Sequence, residues 1–506
     1  MAKADSSILV EDQTCKTAEV EAIIVGSGFS GLGIAALLDR AGYTSFRILE
    51  SHDELGGTWR DNNYPGCGCD IPSPLYSYSF AQKPDWNRLF ASQPEILEYL
   101  QDFAASRRLT DRIRFNERVD SAVWHEDRRL WVTTTRAGHI YLSRFLIVAV
   151  GALHHPLMPP MPGLEDFRGP VFHSAQWRHD VDLHGKKVAV IGTGASAIQF
   201  VPAIAGDVAE MTVYQRTAPW ILPKADRELE PRYKFLSRWV PAYRWYQRAR
   251  LFWIHEKRAP GFVHDPVAME KTAALARSYL ERQVPDPVLR AQLTPDYEIG
   301  CKRLLISSHW YRTLQRENIS VVNGSVRKVT ATTVTGSDGI ERDTDIIIYG
   351  TGFDIQNSVR IDIVGRDGVR LEDAWKNGNE AFLGTAVAGF PNMFTMVGPN
   401  SALGHNSQVF MIESQARYIV SLLKRMHRRG VDTVEVRTDV QRRFNSWLDG
   451  RMSHTVWQRG GCRSYYQDAR SGRNTVLWPD TSIAFWKRTR RVDLGDFATD
   501  SIRPNR

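Results

Sequence analysis

Short unbroken apolar runs, each closed by a glycine or a polar turn, recur along this chain. Clear cases are Ala22-Ile23-Ile24-Val25, Phe145-Leu146-Ile147-Val148, Val188-Ala189-Val190-Ile191 and Ile346-Ile347-Ile348. Such runs predict strands buried on both faces, as in a parallel sheet covered by helices. A different rhythm follows Gly404-His405-Asn406-Ser407. Val409, Phe410, Ile412, Ile419, Val420 and Leu423 fall at helical spacing, and Gly430 stops the helix. Between about 225 and 300 the pattern is helical, basic and aromatic, with Tyr233, Phe235, Trp239, Tyr243, Trp245, Tyr246, Phe252 and Trp253 among many arginines.

Two of the buried-strand runs lead into glycine-rich turns. The first is Gly26-Ser27-Gly28-Phe29-Ser30-Gly31, and the second is Gly192-Thr193-Gly194-Ala195-Ser196-Ala197. In this strand–turn–helix order, one glycine makes the tight bend and the next lets a pyrophosphate approach the backbone. The third small residue lets the helix pack on its strand with its N-terminus toward the phosphates. Two such turns imply two dinucleotides. After the first, Arg47-Ile48-Leu49-Glu50 is a strand ending in a carboxylate, suited to a ribose 2′-hydroxyl and hence to the ADP half of FAD. After the second, the strand ends in Arg216-Thr217, a cation and a hydroxyl suited to the 2′-phosphate of NADPH. The predicted architecture is α/β, with two Rossmann-like dinucleotide-binding domains, the NADPH domain inserted in the FAD domain, and a helical subdomain.

The expected boundaries are a flexible N-terminus over 1–19, a first FAD segment over 20–154 and an NADPH domain over 155–344. The NADPH domain carries the helical insertion at about 225–300. A second FAD segment follows over 345–490, opened by the run at 345–354 as the crossing back, and a tail over 491–506. The proline-rich stretch 154–163 reads as the first interdomain linker. In the flavin fold, the positive N-terminal end of the helix after Ser407 would suit an anionic reduced flavin, although an ordinary packed helix is the plainer reading.

Composition changes this picture little. A formal charge of +8 over 506 residues suits anionic cofactors without requiring nucleic acid. The five cysteines, Cys15, Cys67, Cys69, Cys301 and Cys462, are odd in number and scattered. That argues against a disulfide framework and for a reducing, cytoplasmic setting. Cys67 and Cys69 have neither redox nor zinc spacing, and no metal site is expected. No apolar run is long enough to cross a membrane. Prolines and charges interrupt the aromatic stretch 232–258, which favours a cover over the substrate entrance rather than contact with a lipid surface.

Phe167-Arg168-Gly169-Pro170-Val171-Phe172-His173-Ser174-Ala175-Gln176-Trp177 resembles the fingerprint F-x-G-x-x-x-H-x-x-x-W of type I Baeyer–Villiger monooxygenases. It also lies where that family carries it, between the glycine turns. The family usually continues with Pro or Asp, where this chain has Arg178. Gly56-Gly57-Thr58-Trp59 through Tyr64-Pro65-Gly66 to Asp70 is similar to the family's G-G-x-W-x-x-x-x-Y-P-G-x-x-x-D at every specified position. The segments 398–400 and 404–407 look most like the branch acting on aryl ketones such as 4-hydroxyacetophenone.

The resemblance implies an NADPH- and O2-dependent flavin monooxygenase. It would insert oxygen beside a small-molecule ketone's carbonyl through a C4a-peroxyflavin, giving an ester or lactone. It places Arg303 as the catalytic residue, Asp70 as its partner and Lys302 on the NADPH 2′-phosphate. Thr58, Trp59 and Asp70 would border FAD, with Gly26, Gly28, Gly31 and Glu50 in its turn. Gly192, Gly194, Ala195, Ser196, Arg216 and Thr217 would hold NADPH. Phe167, Gly169, His173 and Trp177 would serve domain closure. Tyr465 stands in a loop where relatives often have Ser-Trp. Arg178 keeps a neighbouring reading open, oxygenation of sulfur or nitrogen in a soft nucleophile. A pyridine nucleotide–disulfide reductase would also carry two dinucleotide folds, but Cys67 and Cys69 are poorly spaced for it.

Overall fold

The apolar runs pair side by side into two separate sheets, each with a glycine turn at its C-terminal edge. The structure is a computed structural model, and it describes residues 17–501. Six strands come first: Thr17–Val25 (β1), Phe46–Leu49 (β2), Ile113–Arg114 (β3), Val119–His125 (β4), Leu130–Thr135 (β5) and Ile140–Val148 (β6). The chain then builds Val171–His173 (β7), Lys187–Ile191 (β8), Glu210–Gln215 (β9), Ile319–Asn323 (β10) and Ile346–Tyr349 (β11). It returns with Asp362–Val364 (β12) and Met393–Thr395 (β13).

The first sheet runs β12-β4-β5-β6-β1-β2-β3, with β13 also on β6. Val25 lies level with Leu49 and Val148 on parallel neighbours, so the turn at Gly26 emerges from the middle of the sheet edge. The second sheet, β10-β9-β8-β11-β7, is parallel throughout. Ile191 lies level with Tyr214 and Tyr349. The helix Phe29–Arg40 follows the first turn and Ala197–Ile204 the second.

Three boundaries differ from the sequence expectation. β1 begins at Thr17, inside the stretch expected to be flexible; residues 1–16, with Cys15, lie outside the described residues. The run at 345–349, expected to open the second FAD segment, instead completes the second sheet between β8 and β7. An all-buried run looks the same whichever sheet receives it. The expected tail also carries structure. Phe497–Asp500 pairs antiparallel with Thr433–Val436, and Phe497 is buried. Residues 502–506 lie outside the described residues.

Two linkers join the domains and run side by side. Leu157 N–H donates to Gly352 O at 2.9 Å, and Asp354 N–H donates to His155 O at 2.9 Å. The proline-rich stretch is therefore braced by the returning chain. The insertion consists of Pro231–Trp239, Pro241–Glu256, Ala259–Val263, Pro266–Gln283 and Pro287–Gln292. Each starts with proline in its first two positions, where the missing N–H costs no hydrogen bond. The long helix Gln408–Arg429 is capped by Ser407, whose hydroxyl accepts from Val409 N–H, and ends at Gly430 with φ +65°.

Candidate active site

At the first turn, glycine is demanded by close approach. A Cβ on Gly26 would lie 2.7 Å from Ala149 O, and one on Gly31 would overlap the Gly26 carbonyl. Gly57, at φ +53°, packs against Gly28, so the Gly56-Gly57-Thr58-Trp59 segment closes over the turn. Glu50 sits behind it, only 4% exposed. It accepts from Ser27 N–H at 3.0 Å, from Ser27 Oγ at 2.6 Å and from Arg60 Nη1 at 3.0 Å. Burial would raise its pKa, but the Arg60 charge and the Ser27 hydrogen bonds outweigh burial and hold it below the usual value. The sequence reading missed Arg60, whose signal is its place in the glycine–tryptophan motif. Trp59 is buried and donates from Nε1 to Tyr76 Oη at 3.2 Å, while Thr58 is half-buried at the helix start.

The second turn is similar in path and more open. A Cβ on Gly192 would lie 2.7 Å from Gly350 O, whereas Gly194 and Ala195 are exposed and Ser196 is half-buried. Thr193 Oγ1 donates to Thr217 O at 3.3 Å, bringing the turn and the end of β9 together. Arg216 is exposed, and neither Arg216 nor Lys302 makes an ion pair among the described residues. Lys302 is shifted below its usual value by burial first and by Arg216 second, with Asp296 opposing. Two cations near enough to repel, beside a turn with open backbone, fit an anionic group such as a 2′-phosphate.

Between the turns, Arg303 and Asp70 meet across the chain. Arg303 Nη2 donates to Asp70 Oδ2. Their side chains remain 41% and 28% exposed although protein surrounds them closely, so the pair faces a cleft. Burial would raise Asp70, but the Arg303 guanidinium and its hydrogen bond hold the carboxyl below its usual value, helped by Lys224. The Asp70 charge in turn holds Arg303 well above its usual value and therefore protonated. Tyr465 and Tyr466 add to the field on Arg303, and Tyr465 Oη donates to Tyr466 Oη at 3.2 Å. Tyr466 is buried, while Tyr465 is 42% exposed. Lys224 and Tyr466 were not legible in the sequence, because they approach Asp70 and Arg303 from distant loops.

A contact also missed by sequence ties the two domains. Gln199, on the helix after the second turn, accepts from Tyr64 Oη at 2.9 Å and donates to Gly68 O at 2.9 Å. A Cβ on Gly66 would meet Gln199 O at 2.7 Å, which is the physical reason for glycine in the Tyr-Pro-Gly element.

The closure fingerprint lies at the paired linkers. His173 ends β7, is fully buried and is pushed by burial to about 4, so it is neutral near pH 7. Its Nδ1 accepts from Ala175 N–H at 3.1 Å, and its ring meets Phe353 of the returning linker at 5.6 Å. Trp177 packs between Phe172 and Phe200. A Cβ on Gly169 would overlap Asp345 O and press on the Phe167 ring. Arg178 is exposed and held by Asp180, away from the cleft.

The cysteine reading needs correction. Cys301 and Cys462 form a disulfide, beside Lys302-Arg303 at one end and near Tyr465-Tyr466 at the other. An even pairing was hidden in an odd, scattered set, so the argument for a reducing compartment loses a premise. Cys67 and Cys69 are free and buried. Burial raises Cys67 to about 12 and Cys69 further, so neither is a ready thiolate for disulfide exchange. Among the described residues no group of side chains is placed to hold a metal ion, and no helix is long and apolar enough to cross a membrane.

Comparison with known proteins fits this geometry. The pyridine nucleotide-disulphide oxidoreductase family matches residues 23–234. A Baeyer–Villiger monooxygenase of Pseudomonas aeruginosa is 45% identical over 96% of this chain and 91% of its own length. The chain belongs to the Baeyer–Villiger monooxygenase family. It is an FAD- and NADPH-dependent flavoprotein monooxygenase. Among solved structures, oxidized steroid monooxygenase bound to NADP superposes with TM-score 0.86 at 29% identity, covering 95% of this chain and 99% of that one. A complex of OTEMO with FAD and NADP gives TM-score 0.86 at 28% identity, with coverage of 95% and 99%. The monooxygenase thus keeps the two-domain outline of both relatives.

Proposed function

We propose that this enzyme inserts oxygen beside the carbonyl of a small ketone, with Arg303 as the catalytic residue and Asp70 as its positioning partner. One observation carries the assignment: residues 233 positions apart bring a permanently charged guanidinium and an ionised carboxylate together, partly open to solvent. When bound, FAD supplies the oxygen-activating chemistry and NADPH the hydride. Gly26, Gly28, Gly31, Thr58 and Trp59 fit the flavin side, because Gly26 and Gly31 have no room for a Cβ and the segment carrying Thr58 and Trp59 packs on Gly28 through Gly57. Glu50 orients the turn through Ser27, and its oxygens already accept from Ser27, Ser51, His52 and Arg60, so a ribose hydroxyl would have to share or displace one of these. Gly192, Gly194, Ala195, Ser196, Arg216, Thr217 and Lys302 fit the nicotinamide cofactor.

Arg303 keeps its protons throughout, so it stabilises negative charge through charge-assisted hydrogen bonds without quenching it by proton transfer. Asp70 fixes the direction of the guanidinium and makes its burial tolerable. The surrounding protein lowers water access, which strengthens that interaction. His173, neutral and wedged against the linker at Phe353, transmits relative movement of the domains. Trp177 packs on Phe172 beside it, and Gly169 with Phe167 packs at the start of the same strand region. Tyr465 borders the same cleft through its effect on Arg303. Arg178, tied to Asp180 at the surface, supplies no reason to prefer sulfur or nitrogen substrates.

The test is Arg303→Ala. Loss of one preorganised donor of this kind costs about 3–4 kcal/mol of barrier. Ester formation is expected to fall by two to three orders of magnitude by that estimate, while NADPH still bleaches the flavin absorbance. Undiminished ester production would remove Arg303 from the chemistry.

A further inference from the structure

The basic aromatic insertion buries two charged side chains and exposes several large aromatics. The helix Pro241–Glu256 buries Arg248, His255 and Glu256 beside Leu251. Arg248 is only 6% exposed, donates to Pro74 O at 2.7 Å and faces Glu413 at 3.8 Å. At the end of the same face, Glu256 accepts from Asn406 Nδ2 at 2.8 Å and from Ile483 N–H at 2.9 Å. Those contacts fix which way the helix faces. Its opposite side presents Tyr246, Trp253 and Ile254 to solvent, at 61%, 51% and 41% exposure, and Trp245 in its first turns is 53% exposed. The preceding helix Pro231–Trp239 does the same with Phe235 at 62% and Trp239 at 68%. The Tyr233 and Tyr243 rings, 5.7 Å apart, join the two helices.

Isolated exposed apolar residues need no explanation, but a cluster of large aromatics on two joined helices does. Within the two helices the charge has one sign as far as His255. From Pro231 to His255 the sequence contains no Asp or Glu, while Arg232, Arg238, Arg244 and Arg250 lie among the aromatics. Glu230 precedes the first helix, and Asp85 beside it is engaged by Arg238 at 3.1 Å and Lys83 at 3.2 Å. Tryptophan and tyrosine favour the water–lipid boundary, because each carries a broad apolar ring and a polar edge. Interleaved arginines add attraction to anionic headgroups. A protein partner would need its own acidic, aromatic-accepting groove, whereas a lipid surface satisfies ring and charge together.

We propose that this helical pair seats the enzyme on the surface of an anionic lipid bilayer, lying in the interface without crossing it. The seat is separate from the cofactor turns and from Arg303. It also gives the sequence expectation a different outcome: the prolines that interrupt the apolar stripe start the helices and do not break the exposed face.

The experiment is flotation of the FAD-loaded enzyme with phosphatidylcholine vesicles, with and without a third of phosphatidylglycerol. Binding is expected to the mixed vesicles, to weaken with added salt, and to shift tryptophan emission to the blue. A Trp239→Ser/Trp253→Ser variant should lose flotation while keeping its flavin spectrum and its oxidation of a water-soluble ketone. Arg232→Glu/Arg250→Glu should weaken binding by at least about thirtyfold at low salt, each arginine near an anionic surface contributing about a fivefold factor. Failure of the native enzyme to float with either vesicle at low salt would overturn the proposal. So would light scattering that shows a dimer in which the double tryptophan variant is monomeric, since the face would then belong to a second copy.

Discussion

The two glycine turns follow nearly the same path and are built for opposite handling of their ligands. At Gly26 the turn is enclosed: Ser27, Phe29, Ser30 and Gly31 are buried, and Glu50 behind them is 4% exposed and held by Ser27 and Arg60. A helix of 12 residues follows, packed against the long helix Gln408–Arg429. At Gly192 the turn is open: Gly194, Ala195 and Arg216 are exposed, and the following helix has 8 residues. Enclosure suits a cofactor that stays for many turnovers, and openness suits one that must enter and leave. The same backbone device therefore gives different residence times according to what is packed around it.

The strongest challenge to that contrast is Gly31→Ala. With no room for a Cβ against the Gly26 carbonyl, the first turn should not close, and purified protein is expected to lack most of its flavin absorbance. At the open turn the counterpart of Gly31 is already Ala197, and Gly194→Ala, whose Cβ meets Gly350 O at 3.3 Å, should leave FAD content intact. Equal flavin loss in both variants would erase the distinction.

Next in size is Cys301→Ser. The disulfide spans 161 residues and ties the Lys302-Arg303 segment to the Tyr465-Tyr466 loop. Its removal is expected to cost about 2–4 kcal/mol of stability, read as a lower denaturation midpoint. Peptide mapping without reductant should recover the joined fragments; two free thiols there would refute the pairing.

Arg216→Ala is expected to weaken NADPH by about 10- to 100-fold, the range for hydrogen bonds to a charged group. NADH should be nearly unaffected, and FAD content unchanged. A parallel loss for both nicotinamides would move Arg216 away from the phosphate.

The smallest effect concerns acid. Glu50 is held below its ordinary value when folded, so its contribution is complete above the unfolded value near about 4.3. That contribution fades as pH falls from there through its lower folded value. The stability gap between native enzyme and Glu50→Gln should therefore shrink below about pH 4, and a gap that widens on acidification would contradict the reading.

Some features were legible because they are local. The glycine turns combine a strand, a bend and a helix start within a few residues, and steric rules demand small side chains there. The helix ending at Gly430 was legible for the same reason: its apolar spacing and its left-handed terminator lie in one stretch. The Arg303–Asp70 pair came from family resemblance, since no local rule joins positions 233 apart. Gln199, Lys224 and Tyr466 escaped notice because a polar residue on a helix or loop carries no mark of the distant group it will meet.

The sequence by itself determined that two dinucleotide turns exist, which carries acid and which carries cation after its second strand, and that a helical, aromatic insertion lies at about 225–300. Tertiary structure alone decided that Ile346–Tyr349 joins the second sheet, that Cys301 meets Cys462, and that the insertion buries Arg248 and Glu256 while showing its aromatics. Apolar periodicity says that a face must be covered, but partner strands, paired sulfurs and outward faces depend on which distant segments fold against them. That competition is settled only when the whole core is packed.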